Sequence, residues 1–351
     1  MKIVLLADTH FGARNDNPHY SKYFYKFYDD VFFPYIEKHD IKNIIHLGDV
    51  LDRRKFVNFK TLSEFNKKFV NRLLDYKCNV DIIVGNHDTY YKNTNDINAP
   101  DELLDDLFFN VHREPKVVSI GGMRMLFVPW INSSNIEKTT MMLEQESADI
   151  VVGHLEIKGF EMHNGHISSN GVDKKLFRRY ETVLSGHFHK KSDDGQIYYL
   201  GSPYEFNWND YNCPKGFHVY DTETRGFEHI KNPYTIHEKI YYNDELNDYT
   251  NFDYTPYEDK YIKLIVEKKK DYFLFDKFLD GFYKTNVNDI KVIEDFSDLD
   301  ASTVADDIAE RSEDTPTLLD NYIEQLETDL NKDKLKTLMK SLYTEAGDIE
   351  I

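Results

Sequence analysis

The 351-residue sequence predicts an α/β fold of four layers, helix on sheet on sheet on helix, followed by a small αβ unit and a C-terminal pair of helices. Three observations predict it. Short β-branched runs bounded by glycine or polar turns alternate with helically spaced aromatics over the first hundred residues; residues 124–222 then become strand-dense; and an acidic stretch poor in large apolar side chains interrupts the pattern near the C-terminus.

The runs at 3–6, 44–47, 81–84, 150–152 and 182–184 read as strands buried on both faces. Between them Phe24, Phe27, Tyr28 and Val31 recur at helical spacing, as do Leu62, Phe65, Phe69 and Leu73. An aromatic stripe of that period packs on a sheet rather than stacking on bases. Within the strand-dense region the runs at 150–152 and 182–184, with further runs at 125–129, 198–200 and 217–220, supply a second sheet facing the first, so that residues 1–232 form one large domain. After the Asn232-Pro233 break, residues 233–295 predict a compact αβ cap: a strand at 261–266, a helix carrying Leu274, Phe275, Phe278 and Phe282, and a strand at 290–293.

Residues 296–315 lie in the acidic stretch, which lacks the apolar surface to offset its ordering entropy and is expected to be a flexible linker. Residues 316–345 become helical again. Leu319, Tyr322, Ile323 and Leu326 form one apolar stripe; Leu335, Leu338, Met339 and Leu342 form another beyond a turn at 331–333. Two tethered helices without a core of their own are expected to dock on a partner chain.

Composition narrows the possibilities. Hydrophobic residues at 40% and aromatics at 15% supply ample core. No apolar stretch approaches the length of a membrane span, and the first run meets Asp8 too early for a signal-peptide core, so a cytoplasmic protein with no membrane association is expected. The two cysteines, Cys78 and Cys213, have no CxxC spacing and read as reduced buried thiols. A net charge of −19 argues against coating nucleic acid by bulk electrostatics. Basic clusters nevertheless follow two of the motifs below, which makes Arg53, Arg54 and Lys190 candidate substrate contacts.

Five phrases carry the chemistry: Asp8-Thr9-His10, Gly48-Asp49, Gly85-Asn86-His87-Asp88, Gly153-His154 and Gly186-His187-Phe188-His189. Each follows one of the five strands, and strand ends in layered α/β folds converge on one rim. Glycine precedes four of the candidate ligands, where a sharp turn or close backbone approach excludes a Cβ. Two divalent ions about 3.5–4 Å apart need a bridging carboxylate with imidazole and oxygen donors on either side. Asp49 is the natural bridge; Asp8, His10 and His189 would complete one position, and Asn86, His154 and His187 the other. Mixed oxygen and imidazole donors without thiolate suit Mn²⁺ best, with Mg²⁺, Fe or Zn as alternatives. His87 is then free to protonate or stabilise a leaving oxygen, with Asp88 expected to orient its ring. The attacking group is expected to be a hydroxide activated by the two metals. The remaining histidines, His46 and His218 among them, are assigned no chemistry.

The series D-x-H, GD, GNHD, GH and GHxH over residues 1–225 resembles that of the calcineurin-like metallophosphoesterases. The resemblance extends to their SbcD-type nucleases, and most of all to the T-even-type bacteriophage members. It is carried by the run from Gly48 to Lys55, by Tyr91-Lys92-Asn93, Pro129-Trp130 and Asp221-Thr222-Glu223-Thr224, and by the cap and helix pair. Gly201-Ser202-Pro203-Tyr204 looks like the substrate-side loop of the DNA-processing members. The resemblance implies manganese-dependent exonuclease and endonuclease action on DNA in double-strand-break repair, recombination and replication, within the host cytoplasm. It also implies a DNA-contacting cap and a homodimer that joins an SbcC-type coiled-coil ATPase in a heterotetramer, the C-terminal helices gripping the coiled coil. Asp52 stands where cellular relatives often have histidine. The alternative reading is a small-substrate phosphodiesterase or phosphatase of the same superfamily.

Overall fold

A strand apolar on both faces must be covered twice, and the runs read above meet that requirement in a pair of stacked sheets. The computed structural model describes residues 1–104, 107–163, 166–294, 323 and 331–347. The chain divides into two units, one of Met1–Phe206 with Asp210–Ile236, the other of Asn207–Asn209 with His237–Ile351. The division thus falls after Ile236 rather than at Asn232, and a short piece near Trp208 belongs to the second unit.

In the first unit one six-stranded sheet runs, edge to edge, Phe227–Lys231, Gly216–Asp221, Lys2–Leu6, Asn43–His46, Asn79–Ile83 and Phe109–His112. The last four are parallel, and Gly216–Asp221 lies antiparallel to Lys2–Leu6. The other sheet runs Ser192–Asp193, Ile197–Tyr199, Thr182–Gly186, Ile150–His154, Met123–Val128 and Lys116–Ile120. Alternate residues point inward: Ile3, Leu5 and Ile45 from one sheet meet Met125, Phe127 and Val152 from the other in a shared core. The sequence reading is corrected at 217–220. That strand belongs to the first sheet, because Phe217 closes the aromatic layer against Phe27 and Phe32 while Tyr220 faces the inter-sheet core.

The aromatic stripes do pack on the first sheet, as expected, but not as plain α-helices. Pro18–Phe27 continues through a π-helical turn, Tyr28–Phe32, into Phe33–Lys38, with the Phe33 N–H donating five residues back to the Tyr28 carbonyl. The extra residue in that turn rotates the later face. Phe32 and Phe33 are therefore buried, and Val31, placed on the inner face by simple periodicity, is only half-buried. Phe59–Phe65, Asn66–Val70 and Asn71–Asp75 repeat the device, with Phe65, Phe69 and Leu73 buried and Leu62 half-buried. The outer face of the second sheet is covered by Ile136–Gln145 and the turn Lys174–Phe177, through Leu143 and Phe177. Cys78 is buried and Cys213 half-buried, both free thiols.

The second unit is a three-stranded parallel sheet, His237–Asn243, Tyr261–Lys268 and Asp289–Ile293, under the helix Tyr272–Lys284. Asp271 caps that helix by accepting from the Leu274 N–H at 3.1 Å. Phe275, Phe278 and Phe282 are buried, as their spacing requires. Lys332–Gly347 is helical, and Asn331 accepts from the Lys334 N–H at 3.0 Å. Leu335 and Met339 are half-buried and Leu338 is exposed, whereas Ile323 is buried. The linker 296–315 and Leu319, Tyr322 and Leu326 lie outside the described residues, as does the Leu342 side chain.

Candidate metal centre

The parallel strands of both sheets end at one rim, and the chain turns sharply there. Asp8, His10, Asp49 and His187 all have positive φ, 53°, 41°, 56° and 87°. Such conformations are disfavoured for residues with a Cβ and persist where surrounding structure over-determines them, commonly at functional sites. The glycines act by close approach, as the sequence reading expected. A Cβ on Gly85 would stand 2.2 Å from Asp49 Oδ1, and one on Gly48 would stand 2.5 Å from His154 Nδ1.

Three sets of donor atoms converge: Asp8, His10 and His189; His10, Asp49 and His87; Asp49, His154 and His187, each within 4.8 Å. Asp49 Oδ2 lies 3.6 Å from His10 Nε2 and 3.3 Å from His154 Nε2, between the two halves. His10 Nε2 and His189 Nε2 are 3.1 Å apart. Asn86 Oδ1 lies 2.9 Å from His154 Nε2 and 3.0 Å from His187 Nδ1. The structure thus gathers all seven residues assigned to the metals from sequence, with Asp49 shared.

Second contacts fix which ring nitrogens face inward. His154 Nδ1 is 2.8 Å from the Leu47 carbonyl, which only accepts, so Nδ1 carries the proton and Nε2 faces the centre. Asp52 Oδ1 lies 3.4 Å from His10 Nδ1 and steers His10 Nε2 in the same way. Burial pushes His10 and His187 below the usual imidazole range, which keeps them in the neutral form that binds metals. Burial also works against a charge on His154, yet Asp49, with Asp8 behind it, outweighs burial and pushes that group up to about 9. For Asp49 burial again opposes ionisation, and His154 and His87 overcome it and hold the carboxyl well below the usual range. A centre that draws a proton onto a buried histidine strongly favours positive charge. With oxygen and imidazole donors converging and no thiolate among them, it fits a pair of divalent cations.

The Asp88 role is corrected. Its carboxylate does not touch the His87 ring but accepts from the N–H groups of Asp49 (2.8 Å), Val50 (2.9 Å) and Gly85 (2.9 Å). It is fully buried and staples two motif loops together, while burial, then Asp49, pushes it up to about 6. The ring of His87 is oriented instead by the Asp52 carbonyl, 2.6 Å from Nδ1. The basic candidates face carboxylates: Arg53 pairs with Asp16 at 3.0 Å and Lys190 with Glu161 at 2.8 Å, while Arg54 is half-buried.

Sequence reasoning missed several supports. His46, left without a role, is buried and lies 3.0 Å from Thr9 Oγ1, which in turn donates to the Val50 carbonyl at 3.0 Å. Trp130 packs on His187 with ring centroids 5.0 Å apart. Tyr204 and Lys215 hold main-chain atoms behind the centre. A histidine directly before Leu47-Gly48-Asp49 was a signal for the first of these; a lysine well downstream of the last strand-end motif offered none.

Residues 1–191 match the model of the calcineurin-like phosphoesterase family. Over 351 residues the chain is 31% identical to exonuclease subunit 1 of Enterobacteria phage T4, covering 99% of each. Among solved structures, an archaeal phosphodiesterase is similar over 66% of this chain and 100% of its own at 16% identity (TM-score 0.33), and the Pseudomonas putida nuclease MPE over 62% of this chain and 83% of its own at 15% identity (TM-score 0.28). By its family match and its full-length likeness to the phage protein, the chain belongs to the calcineurin-like phosphoesterases.

Proposed function

We propose that the chain is the nuclease subunit of a DNA-processing complex, hydrolysing phosphodiester bonds with two divalent metal ions. The observation that carries this reading is the sharing of Asp49 between His10 on one side and His154 on the other, in a chain alike over its full length to a phage exonuclease subunit. Asp8, His10, Asp49 and His189 would hold one ion, and Asn86, Asp49, His154 and His187 the other. When bound, such ions activate a water and neutralise phosphate charge, and Mn²⁺ suits this donor set.

The chain's own groups supply the rest. His87, with Nδ1–H held by Asp52, presents Nε2 to hold or deliver a proton at the leaving oxygen. Asp88 keeps the Asp49 and Gly85 loops in register. Arg53, Arg54 and Lys190 are proposed to meet the DNA backbone, Arg53 and Lys190 by exchanging their carboxylate partners for phosphate. The exposed Leu338, with Leu335 and Met339, supports a docking role for the C-terminal helix on an SbcC-type coiled-coil ATPase, within an assembly containing two copies of this chain.

The test is cleavage of linear and hairpin DNA with Mn²⁺, Mg²⁺ or chelator, with and without the ATPase, beside a small phosphodiester. Metal-dependent DNA cleavage that is lost in Asp49→Asn supports the proposal. Full activity in Asp49→Asn refutes the site, and turnover of the small diester alone favours the phosphodiesterase reading.

A further inference from the structure

Thr9 sits between two left-handed residues, Asp8 at φ 53° and His10 at φ 41°. Each costs about 1–3 kcal/mol and persists only where neighbours impose it, so whatever holds the Thr9 peptide decides where His10 points. The Thr9 carbonyl accepts from the Tyr204 hydroxyl at 2.6 Å. Tyr204 is fully buried and lies flat on Phe24, centroids 3.8 Å apart and planes 13° apart, so its hydroxyl has little freedom to swing away.

The same segment holds the facing ligand. The His189 carbonyl accepts from the Ser202 N–H at 3.1 Å and from the Lys215 ammonium at 2.9 Å. Lys215 also donates to Ser202 Oγ at 2.8 Å and pairs with Asp210, and it is only 3% exposed. Ser202 Oγ passes the link on to the Tyr204 carbonyl at 2.9 Å. Gly201, at φ 74°, lets this segment pass under His189, where a Cβ would lie 3.0 Å from the His189 carbonyl oxygen. A buried ion pair adds little stability over apolar residues of the same volume. Its place directly behind a ligand's main chain points to a positional role.

These contacts reach the main chains of Thr9 and His189. On the other side His154 rests on the Leu47 carbonyl, and Asn86 stands between His154 and His187. We infer that Tyr204 and Lys215 are positioning residues for one metal position only, that of Asp8, His10 and His189. They set its affinity through the Thr9 and His189 backbones and leave the position of Asn86, His154 and His187 unchanged. The inference rests on the two-metal reading given above.

Mn²⁺ titration of the full chain, followed by calorimetry and electron paramagnetic resonance, tests it on the wild type, Tyr204→Phe and Lys215→Met. The wild type is expected to take two ions and show a spin-coupled pair. Tyr204→Phe loses one hydroxyl and should bind one ion as before and the other at least about tenfold more weakly, the usual effect of removing a ligand's support. At two equivalents of Mn²⁺ its spectrum should then be that of isolated ions. Lys215→Met should repeat the pattern; if it does not fold, Tyr204→Phe decides alone. Titrations identical to wild type, or equal weakening of both ions, overturn the inference. A wild type that takes fewer than two ions sinks the two-metal reading, and this inference with it.

Discussion

Replacing His218 with Phe should flatten the acid side of the stability curve. His218 lies in Gly216–Asp221, paired with Leu5 on one side and with His229 on the other, and is 1% exposed. The His229 ring stacks on it at 4.7 Å, and among the described residues neither His218 ring nitrogen has a hydrogen-bond partner. Burial, then the charges of His229 and Lys191, push its pKa from 6.5 down to about 3. The folded chain therefore keeps the ring neutral while the unfolded chain takes up a proton below pH 6.5, so stability falls with pH between about 6.5 and 3. At pH 5 the unfolded state gains about 2 kcal/mol from this one group, whatever the folded value so long as it stays below roughly 4. Urea unfolding from pH 7.5 to pH 5 in chelator measures it. One of the two tryptophans, Trp130, lies in the larger unit and the other, Trp208, in the smaller, so a Trp208→Phe background makes the fluorescence report on the unit of interest. The wild type should lose about 2 kcal/mol more than His218→Phe over this range. Parallel curves would show that the folded chain accommodates the proton, and the argument from burial would be wrong.

Asp88→Ala should cost the metal-free protein roughly 3 kcal/mol, because four buried N–H groups lose their acceptor while the burial of one carboxylate is relieved; unchanged urea unfolding would show that these bonds do not hold the two loops together. Gly85→Ala drives a Cβ into the Asp49 carboxylate, so both metal positions should weaken together in a Mn²⁺ titration; selective loss of one would mean that Asp49 is not shared. His87→Leu should leave uptake of two ions intact and slow cleavage by about 10²- to 10⁴-fold. Loss of an ion in that variant would place His87 among the ligands, as its nearness to His10 and Asp49 permits.

The strand-end motifs were readable because each combines local signals: a β-branched run, a ligating side chain and, in four of the five, a glycine. Gly48 and Gly85 show why, since the close approach that excludes a Cβ is imposed on the same residue that marks the motif. Helix faces were readable only in part. Periodicity assumes a constant turn, and the π-helical insertions at Tyr28–Phe32 and Asn66–Val70 shift the face by a residue to fit large rings onto the sheet. Likewise a buried apolar run does not say which sheet it joins, and 217–220 joins the first because of what Phe217 and Tyr220 touch.

By itself the sequence determined the four-layer architecture, the small αβ unit and which oxygen and imidazole donors stand at the strand ends, since apolar period and donor type are properties of neighbouring residues. The tertiary structure decided how those donors are aimed. Asp88 serves the backbone rather than His87, Asp52 orients both His10 and His87, and Tyr204 and Lys215 stand behind the ligands. The physical reason is that a hydrogen bond depends on distance and direction between groups far apart in the chain, and only the packed sheets bring those groups within reach.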